Sequence, residues 1–291
     1  MAVVLVLIGI ALAVKYPISD GADLSFLNIA LMLIGNVLAH ASVNILNDYF
    51  DFKSKIDFET PKTPFSGGSG MLTTGLSNPK KVYAAGIGTL ITALAIGIYF
   101  AIIAHWSLYI IIAIGAISVY FYNNFLAKIL LGEFFSGLTL GTFVIIGTFI
   151  GLRATPSMDL TQILPLEVLL LSIPPGILTF LLLFINEIPD AEADRRGGRF
   201  HLIILFGKKA SSILYSIGLL ITYLSIIAAP LLSSVSYFVY FGLLTIPFAV
   251  KASAVAIKNY NNVEKFVPAM GANILVVLIT DFLLALGVFV G

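Results

Sequence analysis

The stretch 44–57, NILNDYFDFKSKID, closes an apolar run that begins near residue 23. Three aspartates and two asparagines are crowded where an apolar helix meets water. The rest of the chain sharpens the contrast. Of 291 residues 59% are hydrophobic and only 11% are Asp, Glu, Lys or Arg, well below the quarter of charged residues in soluble domains. No cysteine is present, which excludes disulfides and thiolate metal sites. The start, MAVVLVLIGIALAVKYP, lacks the basic region and cleavage site of a signal peptide and reads as a membrane helix.

A bilayer core of about 30 Å takes roughly 20 apolar residues per helix. Nine spans are expected, at 1–16, 23–47, 80–104, 107–125, 131–152, 165–187, 209–229, 233–257 and 268–290. Pro174, Pro175 and Pro247 fall inside spans, where packing on neighbouring helices tolerates a kink. The fold class is therefore an all-α integral membrane protein, one domain over 1–291. Its cap loops are expected at about 48–79 and 188–208. Of the 16 Lys and Arg residues, 14 flank the loops after even-numbered spans, leaving Lys15 and Arg153 opposite. The positive-inside rule then places the N-terminus in the cytoplasm and the C-terminus outside.

Eight of the 15 acidic residues lie in two places on the expected cytoplasmic side. The first holds Asp48, Asp51, Asp57 and Glu59; the second, NEIPDAEADRRGGR at 186–199, holds Glu187, Asp190, Glu192 and Asp194. Asn186, Asp190 and Asp194 recur every four residues, as do Asn47 and Asp51, so a continuing helix lines them along one face. Asp57 is expected to reach the same place from the start of the loop. Carboxylates at a helix C-terminus oppose the macrodipole by up to about 1 kcal/mol each, and like charges four residues apart repel. A bound cation is the simplest offset. Asp and Asn without Cys suit a hard ion, favouring Mg²⁺ over Zn²⁺. Because Mg²⁺ completes its shell with water and phosphate oxygens, a diphosphate site is expected. Lys53, Lys55, Lys62, Arg195, Arg196 and Arg199 lie nearby in sequence, although positive-inside topology alone accounts for most of them. The Gly/Ser-rich TPFSGGSGMLTTG at 63–75 is no Walker sequence and reads as a flexible loop over a cavity.

These residues resemble the paired aspartate-rich motifs of the UbiA superfamily of intramembrane prenyltransferases. NDYFDFKSKID, NEIPDAEADRRGGR and the intervening YNNFLAKILLGE at 122–133 carry the resemblance. The first motif and PFSGGSG with TTG are most similar to the naphthoquinone branch. The resemblance implies nine helices around a central cavity that opens at the cytoplasmic side. It also implies an isoprenyl diphosphate held through two Mg²⁺ ions, one served by Asn47, Asp51 and Asp57, the other by Asp190 and Asp194, with Asn186 alongside. Lys128 falls near the family's diphosphate-contacting lysine, and Lys53, Lys55, Arg195 and Arg196 are candidates for the same anion. Tyr120 or Tyr122 would stabilise an allylic cation with its π face, their alternative role being that of interfacial belt residues. The other implied partners are an aromatic or similar lipophilic acceptor and membrane lipid; no nucleic acid is expected. The chain departs from the family in GGRFHLI after the second motif, where many members have Gly-x-x-Thr-Leu. It also starts so close to its first span that the usual N-terminal flank is expected to be short.

Two other readings are weighed. The same chemistry serves a glycerol-phosphate lipid or a porphyrin-type acceptor. From another class, a membrane transporter with an acidic ion site is favoured chiefly by Asp281 within the last span.

Overall fold

A computed structural model of the protein describes residues 1–18 and 24–291. The expected start of the second span at residue 23 lies outside them. Among the described residues every regular element is helical. Seven helices are long and apolar enough to cross a membrane: α2 (Phe26–Ser54), α3 (Pro79–Ile103), α5 (Gly132–Arg153), α6 (Leu166–Arg196), α7 (Lys208–Leu232), α8 (Tyr237–Asn259) and α9 (Val263–Val290). The other two expected spans are the shorter apolar helices α1 (Ala2–Lys15) and α4 (Ser107–Phe121). Their 14 and 15 residues rise about 21–23 Å, less than the hydrocarbon thickness, so length by itself identifies seven of the nine expected spans.

The helices pack on their neighbours in chain order, and α1 closes the ring by packing on both α2 and α9. It also lies against the second half of α5. Leu5, Val6, Ile8, Leu12 and Ala13 are fully buried along α1. A Cβ on Gly9 would stand 2.6 Å from Thr148 Cβ, so the α1 to α5 contact requires a glycine there. Outward faces carry large apolar side chains such as Phe26, Ile91, Leu244 and Phe289, an arrangement suited to lipid and costly in water.

Helix α6 positions the second acidic segment. It packs on α5 where that helix passes through a π-turn at Leu138–Thr142. A Cβ on Gly141 would lie 2.8 Å from Gly176 Cα, the close approach that small residues allow between membrane helices. Both acidic helices run past their expected apolar ends. Helix α2 extends from the expected residue 47 to Ser54, and α6 from the expected 187 to Arg196. Hydropathy marks where apolar side chains stop, not where backbone hydrogen bonding does. The segments 48–54 and 188–196, expected as loop, are therefore helix.

Candidate active site

At one end of the bundle a cavity of about 870 Å³ opens between α2, α5 and α6. Its polar wall holds Asn47, Asp48, Asp51, Asp57, Asn186, Glu187, Asp190, Asp194 and Arg199. His40, Val119, Thr139 and Leu140 also border a second, largely apolar cavity of about 150 Å³ between α2, α3, α4 and α5. The polar chamber thus adjoins a greasy recess.

Local backbone features bring the acidic groups together. Helix α2 ends at Lys55, whose φ of 67° is left-handed, and one new helical turn, Ile56–Glu59, carries Asp57 inward. The Gly/Ser loop then folds over both segments. Ser66 Oγ donates to Asp190 Oδ1 at 3.2 Å, and Ser69 N–H donates to Asp48 Oδ1 at 3.2 Å. Gly68 (φ 68°) lies so near Asp57 that a Cβ there would be 2.8 Å from each carboxylate oxygen. Only glycine satisfies both that backbone and that approach.

Arg199 joins the two segments. One guanidinium nitrogen pairs with Asp51 and the other with Asp194, the latter at 2.8 Å. It also donates to Asn123 and, at 3.5 Å, to Asn47. Asn47 Nδ2 in turn donates to Asp51 Oδ2 at 2.9 Å. Gly198, at φ 83°, lets the chain reverse after α6, and backbone bonds from Arg199 to Asp194 and from Phe200 to Ala127 fix the return. Burial disfavours the Arg199 charge, yet the Asp51 and Asp194 carboxylates outweigh it and hold its pKa above the ordinary value. Asp57 behaves oppositely. Burial, then the charges of Asp51 and Asp48, push its carboxyl up to about 7.

The structure brings Asn47, Asp51, Asp57, Asn186, Asp190, Asp194 and Tyr122 to the cavity wall. It does not bring Lys53, Lys55, Lys128, Arg195, Arg196 or Tyr120 there. The five basic residues are exposed, and Arg196 pairs with Glu59 at 2.6 Å. Tyr120 instead meets Tyr83, hydroxyl to hydroxyl at 3.2 Å, and lies edge-on to Phe50 on the α2–α3 side. Tyr122 donates to Glu187 Oε1 at 3.2 Å; burial and the Glu187 charge raise its pKa well above that of a free phenol. The sequence groups Arg199 with the basic neighbours and Glu187 with the second acidic segment but marks neither as a site residue, and it gives Asn123, Glu133 and His201 no role. The one signal was GGRFHLI itself, a departure from pattern directly after the motif.

The donor set suits a hard divalent ion. The ligand-type groups that the two motifs turn to the cavity are carboxylate and carboxamide oxygens. Asn186 Oδ1 is buried without a hydrogen-bond partner, and a cationic side chain already sits between Asp51 and Asp194. Asp281 is fully buried, with neither oxygen hydrogen-bonded, and does not border the cavity.

An all-helical membrane bundle with two acidic helix ends converging on one chamber defines an intramembrane enzyme of the UbiA type. Residues 2–276 match the UbiA prenyltransferase family, and the chain belongs to it. It is 28% identical to the 1,4-dihydroxy-2-naphthoate octaprenyltransferase of Bacillus subtilis over 87% of this chain and 77% of that protein. It is also 28% identical to the UbiA prenyltransferase domain-containing protein 1 of Xenopus tropicalis, over 84% and 67%. The fold is similar to a UbiA homologue from Aeropyrum pernix (TM-score 0.60, 19% identity, 94% of this chain and 96% of that one). It is likewise similar to a UbiA homologue from Archaeoglobus fulgidus bound to DMAPP and Mg²⁺ (TM-score 0.61, 13% identity, 97% and 95%).

Proposed function

We propose that the protein transfers an isoprenyl group from an isoprenyl diphosphate to an aromatic quinone precursor, in the presence of Mg²⁺. The observation that carries this reading is the convergence of Asp51 and Asp194 on one cation at the mouth of a chamber with an adjoining apolar recess. The relatives support each half of it. The B. subtilis protein is named for a dihydroxynaphthoate acceptor, and the A. fulgidus homologue binds an allylic diphosphate with Mg²⁺.

Asn47, Asp51 and Asp57 on one side, and Asp190 and Asp194 with Asn186 on the other, would hold two Mg²⁺ ions. Bound there, Mg²⁺ supplies Lewis-acid neutralisation of the negative charge that grows on departing diphosphate. Arg199, whose guanidinium fork matches diphosphate oxygens well, would bind and orient the leaving group beside those carboxylates. The C1–O bond then breaks, its electron pair leaving with diphosphate. Tyr122, at the wall, presents a ring face to the allylic cation. The apolar recess bounded by Leu90, Leu94 and Phe143 receives the prenyl tail, and the chamber excludes water until the acceptor's ring carbon attacks. Loss of a proton from that carbon restores aromaticity.

Residues 1–291 would form one transmembrane domain of nine crossings. Its cap, at about 48–79 and 188–208, and the chamber's mouth would face the cytoplasm. The N-terminus would lie inside and the C-terminus outside, as the lysine and arginine bias demands. The test is to incubate purified protein with diphosphates of graded prenyl length and either 1,4-dihydroxy-2-naphthoate, 4-hydroxybenzoate, a glycerol-phosphate lipid or a porphyrin acceptor. Diphosphate release and the mass of the product are then measured with and without Mg²⁺. Mg²⁺-dependent prenylation of the naphthoate supports the reading. Turnover of the lipid or porphyrin alone would reassign the acceptor.

A further inference from the structure

From Glu187 on the chamber wall a second group of ionisable side chains runs into the protein interior. Glu133 opens α5, Glu187 lies on α6, and His201 ends the segment that returns from Arg199. All three are buried, with Glu133 fully so and His201 at 1% exposure. One donor atom from each lies within 4.8 Å of the other two.

Each side chain has one end satisfied and one end bare. Glu133 Oε1 accepts from Leu202 N–H at 2.8 Å, and Glu187 Oε1 accepts from Tyr122. His201 Nε2 lies 3.1 Å from Asp194 Oδ2. The opposite atoms, Glu133 Oε2, Glu187 Oε2 and His201 Nδ1, are buried without any hydrogen-bond partner. Three orphaned polar atoms in one pocket are each costly to bury. The bond to Asp194 places the imidazole proton on Nε2, because a carboxylate accepts. His201 Nδ1 lies 3.9 Å from Glu187 Oε2, beyond hydrogen-bond reach. A cation placed among Glu133, Glu187 and His201 satisfies all three orphaned atoms together.

We infer that Glu133, Glu187 and His201 form a buried site for one first-row divalent ion, of the Zn²⁺ or Mn²⁺ kind, separate from the diphosphate-binding carboxylates. Two carboxylate oxygens and one imidazole nitrogen suit these ions, with water in a fourth position. Bonds of about 2.0–2.2 Å need the three atoms to draw in by about 1 Å, within reach of side-chain rotation. A histidine ligand whose other nitrogen donates to a carboxylate is the arrangement that fixes ring orientation and raises basicity at metal sites. Here that carboxylate is Asp194, so the ion props the second acidic segment from behind. It clamps the start of α5, the end of α6 and the segment 197–202. The site stands on these three side chains and not on the diphosphate reading.

The test uses the full-length protein in detergent, stripped by chelator and titrated with Zn²⁺ alone or Co²⁺ alone, without any diphosphate. One equivalent per chain should survive dialysis and raise the melting temperature. X-ray absorption at the metal edge should show one imidazole nitrogen among oxygen neighbours. Glu133→Gln should lose the equivalent, whereas Asp51→Asn, which alters only the chamber side, should keep it. The inference fails if the unaltered protein retains no ion, if the absorption spectrum lacks an imidazole, or if Glu133→Gln binds as well as the parent. It also fails if Asp51→Asn abolishes binding, since the ion would then belong to the chamber. Should Glu133→Gln not fold, the spectrum of the unaltered protein and the Asp51→Asn titration decide between these outcomes.

Discussion

The two acidic segments share an Asn-x-x-x-Asp signature but are embedded differently. The second runs on one unbroken helix to Arg196, and Asp194 is held from behind by His201 and from the front by Arg199. The first is interrupted at left-handed Lys55, so Asp57 sits on a separate turn and leans on the Gly/Ser loop. One segment is rigidly propped; the other is assembled from a helix end, a turn and a loop. Sequence spacing reports shared geometry along a helix, but not the scaffolding that sets each group's charge state.

The comparison breaks first at the carboxylates themselves. If both segments hold metal at the leaving diphosphate, Asp51→Asn and Asp190→Asn should each lower prenyl transfer by about a thousand-fold, with folding and extraction unchanged. Steady-state turnover against the helical signal of the purified variants checks this. Full activity in either variant would remove that segment from the metal role and leave the other alone.

The next largest effect concerns the cation between them. Replacing Arg199 with alanine leaves Asp51 and Asp194 buried without the guanidinium they share, a loss of about 3–5 kcal/mol for a broken buried pair. The loss should be greatest in EDTA and shrink when Mg²⁺ is added, because the ions take over the carboxylates. Urea or thermal unfolding with and without Mg²⁺ measures it. Equal destabilisation in both conditions would mean that Arg199 and the metal do not compete for the same groups.

How much of this was legible beforehand follows from which forces act locally. Helices, their order and the pairing of Asn47 with Asp51 or Asn186 with Asp194 follow from hydropathy and a four-residue period, both local. The reach of α2 and α6 past residues 47 and 187 was not legible, since the terminal turns are polar and are held as helix by tertiary burial. Nor was the choice among basic residues. Arg195, Arg196 and Arg199 look alike in a string, but Gly197 and Gly198 turn only the last of them inward. The lysines at 53, 55 and 128 conform to topology and stay at the surface.

A smaller effect separates the segments by pH. Asp57, with its carboxyl pushed up to about 7 by burial and by Asp51 and Asp48, must lose a proton before it can ligate metal. Its raised value means the carboxylate is largely present at pH 8 and mostly protonated at pH 6. Apparent Mg²⁺ affinity should therefore fall about ten-fold from pH 8 to pH 6, and Asp57→Asn should flatten that dependence. Isothermal titration with Mg²⁺ and a non-ionising diphosphate analogue provides the readout. A slope unchanged in Asp57→Asn would shift the titration to another carboxylate.

The smallest effect comes from a second ion pair that also links the two segments. Arg196 meets Glu59 at 2.6 Å, closer than Arg199 meets Asp194, but its side chain is 63% exposed and that of Glu59 49%. Water and salt screen such a pair, and ordering two long side chains offsets much of what attraction remains, so Arg196→Ala should cost no more than about 1 kcal/mol. Thermal melts at about 50 mM and 500 mM salt, roughly a three-fold change in screening length, should show the difference from the parent vanishing at the higher value. If Arg196→Ala instead destabilised the protein as much as Arg199→Ala and did so in high salt, closure of the cap would be what couples the segments. The buried guanidinium would then be a passenger rather than the bridge.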